Sequence, residues 1–93
     1  MSYELGFLDE ALKDWHKLEN SVREQFKTKL ADRLKSPRVP APKLSGHQDR
    51  YKIKLRSVGY RLVYEVRGKQ LIVVVVAVGK RERNAVYKMA AKR

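Results

Sequence analysis

The sequence predicts an α+β protein: an N-terminal strand and a helical hairpin packed on an antiparallel sheet of about four strands, with a C-terminal helix. Three patterns carry that expectation. Apolar residues recur every fourth position from Val22 to Leu34, alternate with polar ones through YKIKLR at 51–56, and run unbroken through LIVVVVAV at 71–78. These are the signatures of an amphipathic helix, a strand with one wet face, and a strand buried on both faces. At 93 residues the chain is long enough for one small domain with a modest core, so residues 1–93 are expected to form a single domain.

Taken in order, YELGFL at 3–8 alternates enough for a short strand. Asp9 then caps a helix on which Leu12, Trp15 and Leu18 share a face. Ser21 and Glu24 have capping-box spacing for a second helix, which runs until SPRVPAP stops it. Segment 36–49 reads as an exposed loop. From 50 to 78 three antiparallel strands follow, joined by two-residue turns at Val58-Gly59 and Gly68-Lys69. Counting from those turns sets Arg56 opposite Arg61, Lys54 opposite Val63 and Lys52 opposite Glu65, with Val76 opposite Arg61 and Val74 opposite Val63 across the second hairpin. One side of the first hairpin is then cationic and the other apolar. The cationic side runs into an apolar patch on the last strand, which a helix over 82–91 can cover with Val86, Met89 and Ala90. Tyr87 then falls near the rim of a basic groove.

Charge is the strongest compositional signal, with 22 Lys and Arg against 10 Asp and Glu for a net charge of +12. It is unevenly spread: residues 1–20 hold five acids and two bases, whereas 51–93 hold twelve bases and two acids. Such a field attracts polyanions by counterion release, which points to RNA, DNA or an acidic protein segment. The chain has no Cys, hence no disulfide framework and no thiol nucleophile, and a reducing, cytoplasmic location is expected. The 71–78 run is too short to span a bilayer, and MSYELGF lacks the build of a signal peptide, so no membrane role is expected.

A cationic strand face is also what an ordinary solvated sheet presents. Crowding argues for more, because like charges directly opposite on paired strands repel unless an anion lies between them. Lys80, Arg81 and Arg83 add cations where the last strand ends. Arg56 beside the groove, and Arg23 and Lys27 on the second helix, are further candidates for RNA contact. Gly79-Lys80 is not a phosphate loop, since no glycine precedes it at the required spacing. His16 and His47, one in a helix and one in a loop, are not placed for acid–base work. Glu65 is expected to pair with Lys52.

The set Lys52, Lys54, Arg61, Arg81 and Tyr87 resembles the active residues of the RelE toxins of bacterial toxin–antitoxin pairs. The likeness spans nearly the whole chain: ALKDWHKL, VREQFKTKLADRLKSPR, KLSG, YKIKLRSVGYRLVYEV and VGKRERNAVY. It implies the RelE-like microbial ribonuclease fold and an endoribonuclease that enters the A site of the 70S ribosome, cuts mRNA there and stops translation. It also implies a RelB-like antitoxin that neutralises the toxin and joins it in repressing their operon through operator DNA. No metal or cofactor is implied. Carried over by position, the catalytic set is Lys52, Lys54, Arg61, Arg81 and Tyr87. The implied reaction is attack by the RNA's 2′-hydroxyl on the next phosphorus, leaving a 2′,3′-cyclic phosphate and a 5′-hydroxyl.

Physical argument supports those roles separately. Several cations around a phosphate stabilise the charge of a pentacoordinate transition state. Arginine suits bidentate phosphate contact, and lysine acts as a point charge. A tyrosine of ordinary pKa, about 10, is ionised in only about one molecule in a thousand at neutral pH; a cationic groove favours the phenolate and makes Tyr87 a candidate base. The proton for the leaving 5′-oxygen can come from Arg81, as the resemblance implies, or from Lys54, since guanidinium releases protons reluctantly. Two other classes fit the same residues: a ParE-like gyrase inhibitor of the same fold, and an RNA- or ribosome-binding module that cuts nothing.

Overall fold

A computed structural model of the chain describes residues 2–38, 49–80 and 85–93. The elements run β1 (Glu4–Phe7), α1 (Asp9–His16), α2 (Asn20–Lys35), β2 (Arg50–Leu55), β3 (Tyr60–Arg67), β4 (Ile72–Lys80) and α3 (Ala85–Lys92). The expected α+β layout is therefore present. The sheet order is β1-β4-β3-β2, and β1 lies parallel to β4 while the other neighbours are antiparallel. The sheet is mixed, not antiparallel throughout. Because β1 and β4 point the same way, the helices that follow them leave from the same end of the sheet. α1 and α3 can then cover its two faces.

The main core lies between the sheet and α1–α2, where Val22, Phe26 and Leu30 meet Tyr51, Ile53, Leu55, Leu62 and Tyr64. The four-residue spacing of α2 is thus what the sequence dictates. α1 is rotated from the expected face: Ala11 and Trp15 are buried, whereas Leu12 is 38% exposed. Trp15 sets that rotation by filling the space between Phe7 and Phe26, with ring centroids 5.2 and 6.3 Å away. Leu18 is buried from the connection after α1, not from the helix. Neither expected cap forms: Leu8 and Glu19 occupy the cap positions, without side-chain hydrogen bonds. The α1–α2 junction is instead held by Arg23, as described below.

Both hairpin turns are longer than the two residues expected. Residues 56–59 form the first, closed by the Gly59 amide donating to the Leu55 carbonyl at 2.9 Å, with Gly59 at φ 71°. A positive φ there is natural for glycine and costly for most other residues. The register becomes Lys52 opposite Val63, Lys54 opposite Arg61 and Arg50 opposite Glu65. A shift by two keeps every side chain on its expected face, but it removes Arg56 from the strand pair and puts Lys54 against Arg61.

The second turn places Arg67 opposite Ile72, and a bulge follows between Val63 and Tyr64 on one strand and Val75 and Ala77 on the other. Val76 is the extra residue. Arg61 therefore faces Gly79 and Val63 faces Ala77, correcting the expected partners Val76 and Val74. The bulge turns two successive side chains, Val76 and Ala77, to the face under α3, while Val75 and Val78 stay in the main core. The bulged carbonyl is not left bare: Arg93 Nη1 donates to the Val76 oxygen at 2.9 Å. On this second face Val86 and Ala90 of α3 pack with Val63, Val76 and Ala77, and Met89 and Tyr87 flank them. The apolar patch is covered as its sequence requires.

Candidate active site

The wet stretch of the second face begins where α3 stops. Alternation along β2 and β3 brings Lys52, Lys54 and Arg61 to that face. Lys54 and Arg61 are directly opposite, so two cations are held side by side where β-pairing leaves them little room to separate. The like-charge pair expected of Arg56 and Arg61 is not formed; Lys54 takes the place opposite Arg61. Beside them the end of the hairpin forms a concavity of ≈260 Å³ lined by Lys54, Leu55, Arg56, Gly59, Tyr60 and Arg61.

Tyr87 reaches this face from α3. Arg61 Nη1 donates to the Tyr87 hydroxyl oxygen at 2.8 Å. Its guanidinium carbon lies 5.7 Å from the ring centroid, and Lys52 Nζ lies 5.6 Å from the same centroid. One phenol is thereby contacted by two cations, one of them also donating a charge-assisted hydrogen bond to its oxygen. Chemically, the cluster can bind a phosphate through Lys54 and Arg61 while holding a phenolic oxygen beside it. Arg81 and Arg83 lie outside the described residues, as do the KLSG loop and His47.

The family model of the ParE toxin of type II toxin–antitoxin systems, parDE, matches residues 5–85. The mRNA interferase toxin RelE of Escherichia coli K12 is 57% identical over 93 residues, covering 100% of this chain and 98% of that protein. The chain belongs to the RelE/ParE toxin family. A double arginine mutant of E. coli RelE in the free state superposes with a TM-score of 0.92 at 55% identity, covering 100% of this chain and 98% of that one. RelE in the intact E. coli RelBE toxin–antitoxin complex gives 0.84 at 56% identity, covering 88% and 100%.

For this RelE/ParE chain the remaining candidates separate by position. Arg56 is exposed in the first turn and lines the concavity. Lys80 is opposite Tyr60, with Nζ 6.0 Å from that ring; since Tyr60 and Arg61 point to opposite faces, Lys80 is not on the face of Arg61. Lys27 is exposed on α2, across the sheet from Tyr87, and pairs with Glu24 at 3.3 Å. Arg23 is committed elsewhere. Its Nη1 donates to the carbonyls of His16 at 3.2 Å and Leu18 at 2.9 Å, and its Nη2 to Asn20 Oδ1 at 2.8 Å. It caps the C-terminus of α1, where a cation also complements the helix dipole. Arg23→Ala is therefore expected to lower stability by about 1–2 kcal/mol, measured by urea unfolding, with no change in RNA binding.

Glu65 does not pair with Lys52. Its carboxylate takes Arg50 Nε at 3.2 Å and Arg67 Nε at 2.9 Å. Partial burial raises its pKa, but the hydrogen bonds from Arg67 and Arg50 and their charges outweigh that and hold it below the ordinary 4.5. A lowered folded-state pKa means the unfolded chain binds the proton more readily. The stabilisation is complete above about pH 4.5 and is lost as pH falls through the lower, folded value. Thermal melts should thus show wild type exceeding Glu65→Gln above pH 4.5, with the gap closing in more acid solution.

The neighbouring Tyr64 serves the fold. Its hydroxyl donates to the Pro37 carbonyl at 2.7 Å and accepts from Arg33 Nη1 at 3.0 Å. Burial raises its pKa more than Arg33 lowers it, so it remains a neutral phenol. Sequence reading also passed over Arg50, which continues the alternation of Lys52 and Lys54 one step toward the N-terminus; that extension of the pattern was its available signal.

Proposed function

We propose that the chain is a ribosome-dependent endoribonuclease toxin, acting as one domain over residues 1–93 in the cytoplasm, that cleaves mRNA in the ribosomal A site and inhibits translation. The observation that carries this reading is the 2.8 Å Arg61–Tyr87 hydrogen bond beside Lys52 and Lys54. Identity of 57% to a protein named as an mRNA interferase toxin supports the same substrate class. In the proposed reaction Tyr87 is the general base that takes the proton of the 2′-hydroxyl. That oxygen attacks the adjacent phosphorus, and the bond to the 5′-oxygen breaks. A 2′,3′-cyclic phosphate and, once Arg81 or Lys54 has supplied a proton, a 5′-hydroxyl result.

Arg61 and Lys54 stabilise the charge that the pentacoordinate phosphorus gains. The chemistry asks for no metal. A weak base of this kind makes positioning decisive, which fits a nuclease that works on message held by the ribosome. A RelB-like antitoxin is the proposed inhibitor, as in the RelBE complex of E. coli, and the pair is proposed to repress its operon at operator DNA.

Incubation with programmed ribosomes followed by primer extension tests the assignment. Message cut in the A site is expected, strongly reduced by Tyr87→Phe and by Arg81→Ala. Undiminished cutting by both variants overturns the assigned roles. DNA breaks linked to gyrase identify the ParE-type alternative, and ribosome binding without cleavage identifies a binding module.

A further inference from the structure

The helix that carries Tyr87 touches the β2–β3 hairpin through a second polar contact, three residues further along α3. Arg50, on the same face of β2 as Lys52 and Lys54, donates from Nη1 to the Ala90 carbonyl at 2.6 Å. Ala90 lies in the last turn of α3, at the negative end of its dipole, and its carbonyl accepts the Arg93 amide at 3.0 Å as well as the Arg50 guanidinium. The Arg50 side chain is 13% exposed, and its Nε is held by Glu65 at 3.2 Å, which Arg67 holds in turn at 2.9 Å. The guanidinium is therefore braced on the sheet before it meets the helix, and its fork reaches both partners at once. The hairpin thus grips α3 twice, through Arg61 at Tyr87 and through Arg50 three residues further on.

We infer that Arg50 is a positioning residue for the proposed cleavage: by fixing the last turn of α3 to the sheet, it holds the Tyr87 hydroxyl against Arg61. It contacts no reacting group, and its effect passes through the placement of the helix. A helix of eight residues is too short to be stable by itself and depends on such tertiary anchors. Loosening the far anchor lowers the fraction of molecules in which Tyr87 is in place. Because the cations that bind RNA are untouched, the loss falls on the catalytic rate and not on half-saturation.

The inference rests on the nuclease reading above, so two measurements are paired on the full-length protein. The first is single-turnover cleavage of message on programmed ribosomes, as a function of toxin concentration, for wild type, Arg50→Met and Arg50→Lys. Arg50→Met is expected to cut about tenfold more slowly at unchanged half-saturation. Arg50→Lys, which keeps the charge but can engage only one of the two partners well, is expected between them. The second is hydrogen exchange of the α3 amides with NMR of labelled tyrosine rings. In Arg50→Met α3 is expected to exchange about tenfold faster and the Tyr87 ring signal to move toward its position in Arg61→Ala.

Wild-type cleavage rate in Arg50→Met, or a loss confined to half-saturation, overturns the inference. So does an unmoved Tyr87 signal. Should wild type itself fail to cut while the exchange and ring shifts appear, the nuclease reading falls and the anchoring of Tyr87 by Arg50 stands.

Discussion

Arg61→Ala is expected to slow message cleavage on programmed ribosomes by about 10²–10³-fold, the cost typical of removing one preorganised donor from a developing anion. Two losses coincide in this variant. In the proposed mechanism the phosphate loses its arginine partner opposite Lys54, and the Tyr87 hydroxyl loses the donor 2.8 Å away. Both interactions strengthen as charge builds on phosphorus and on the phenol, so the effect belongs in the single-turnover rate more than in binding. Arg61→Lys keeps the charge without the planar fork and should fall between wild type and alanine. Unfolding should change by less than about 1 kcal/mol, because relief of the like-charge pair with Lys54 offsets the lost hydrogen bond to Tyr87. Cleavage by Arg61→Ala at the wild-type rate would remove this residue from the chemistry.

Phe26→Ala should produce the largest loss of stability, about 3–5 kcal/mol. Phe26 is fully buried at the centre of the main core, 6.3 Å from the Trp15 ring and packed under the sheet. Alanine leaves a cavity that α2 cannot close without dragging Val22 and Leu30 off the sheet. Against a total of about 5–15 kcal/mol for a domain, this brings the variant near the edge of folding. Urea denaturation should show a much lower midpoint with a similar slope; a shift equivalent to less than about 1 kcal/mol would contradict the packing described. Its activity loss should recover on moderate cooling as the folded population returns, whereas that of Arg61→Ala should not.

The two variants separate what each face of the sheet does. The face toward α1 and α2 is apolar and supplies stability. The other is divided between the α3 seat, built from Val63, Val76, Ala77, Val86 and Ala90, and the cationic strip. Lys27 and Arg23, on α2, belong to the first side. Any RNA they met would lie on the other side of the sheet from the phosphate proposed to sit at Lys54 and Arg61.

Much of this was legible in the chain. Alternation in YKIKLR sent Lys52 and Lys54 to one face, the four-residue repeat of α2 named its buried side, and the unbroken run in β4 announced a central strand. The cover for that strand was legible as well, because an apolar patch beside a charged one has to be shielded from water. Partners across strands were less legible. Both turns gained residues, and one bulge moved Val78 to the core and brought Ala77 beneath α3 beside Val76. The sequence expects Glu65 beside Lys52; its pairing with Arg50 follows from the longer first turn and the register that turn sets.

The sequence by itself determined the elements, their apolar faces and the cations of the strip, since side-chain spacing acts within a single strand or helix. Only the tertiary structure decided that β1 runs parallel to β4, that Trp15 turns Leu12 outward, that Arg23 closes a helix end, and that Tyr87 meets Arg61. Those outcomes depend on turn length, on one bulged residue and on how neighbouring layers fill space, which are properties of contacts between segments far apart in the chain.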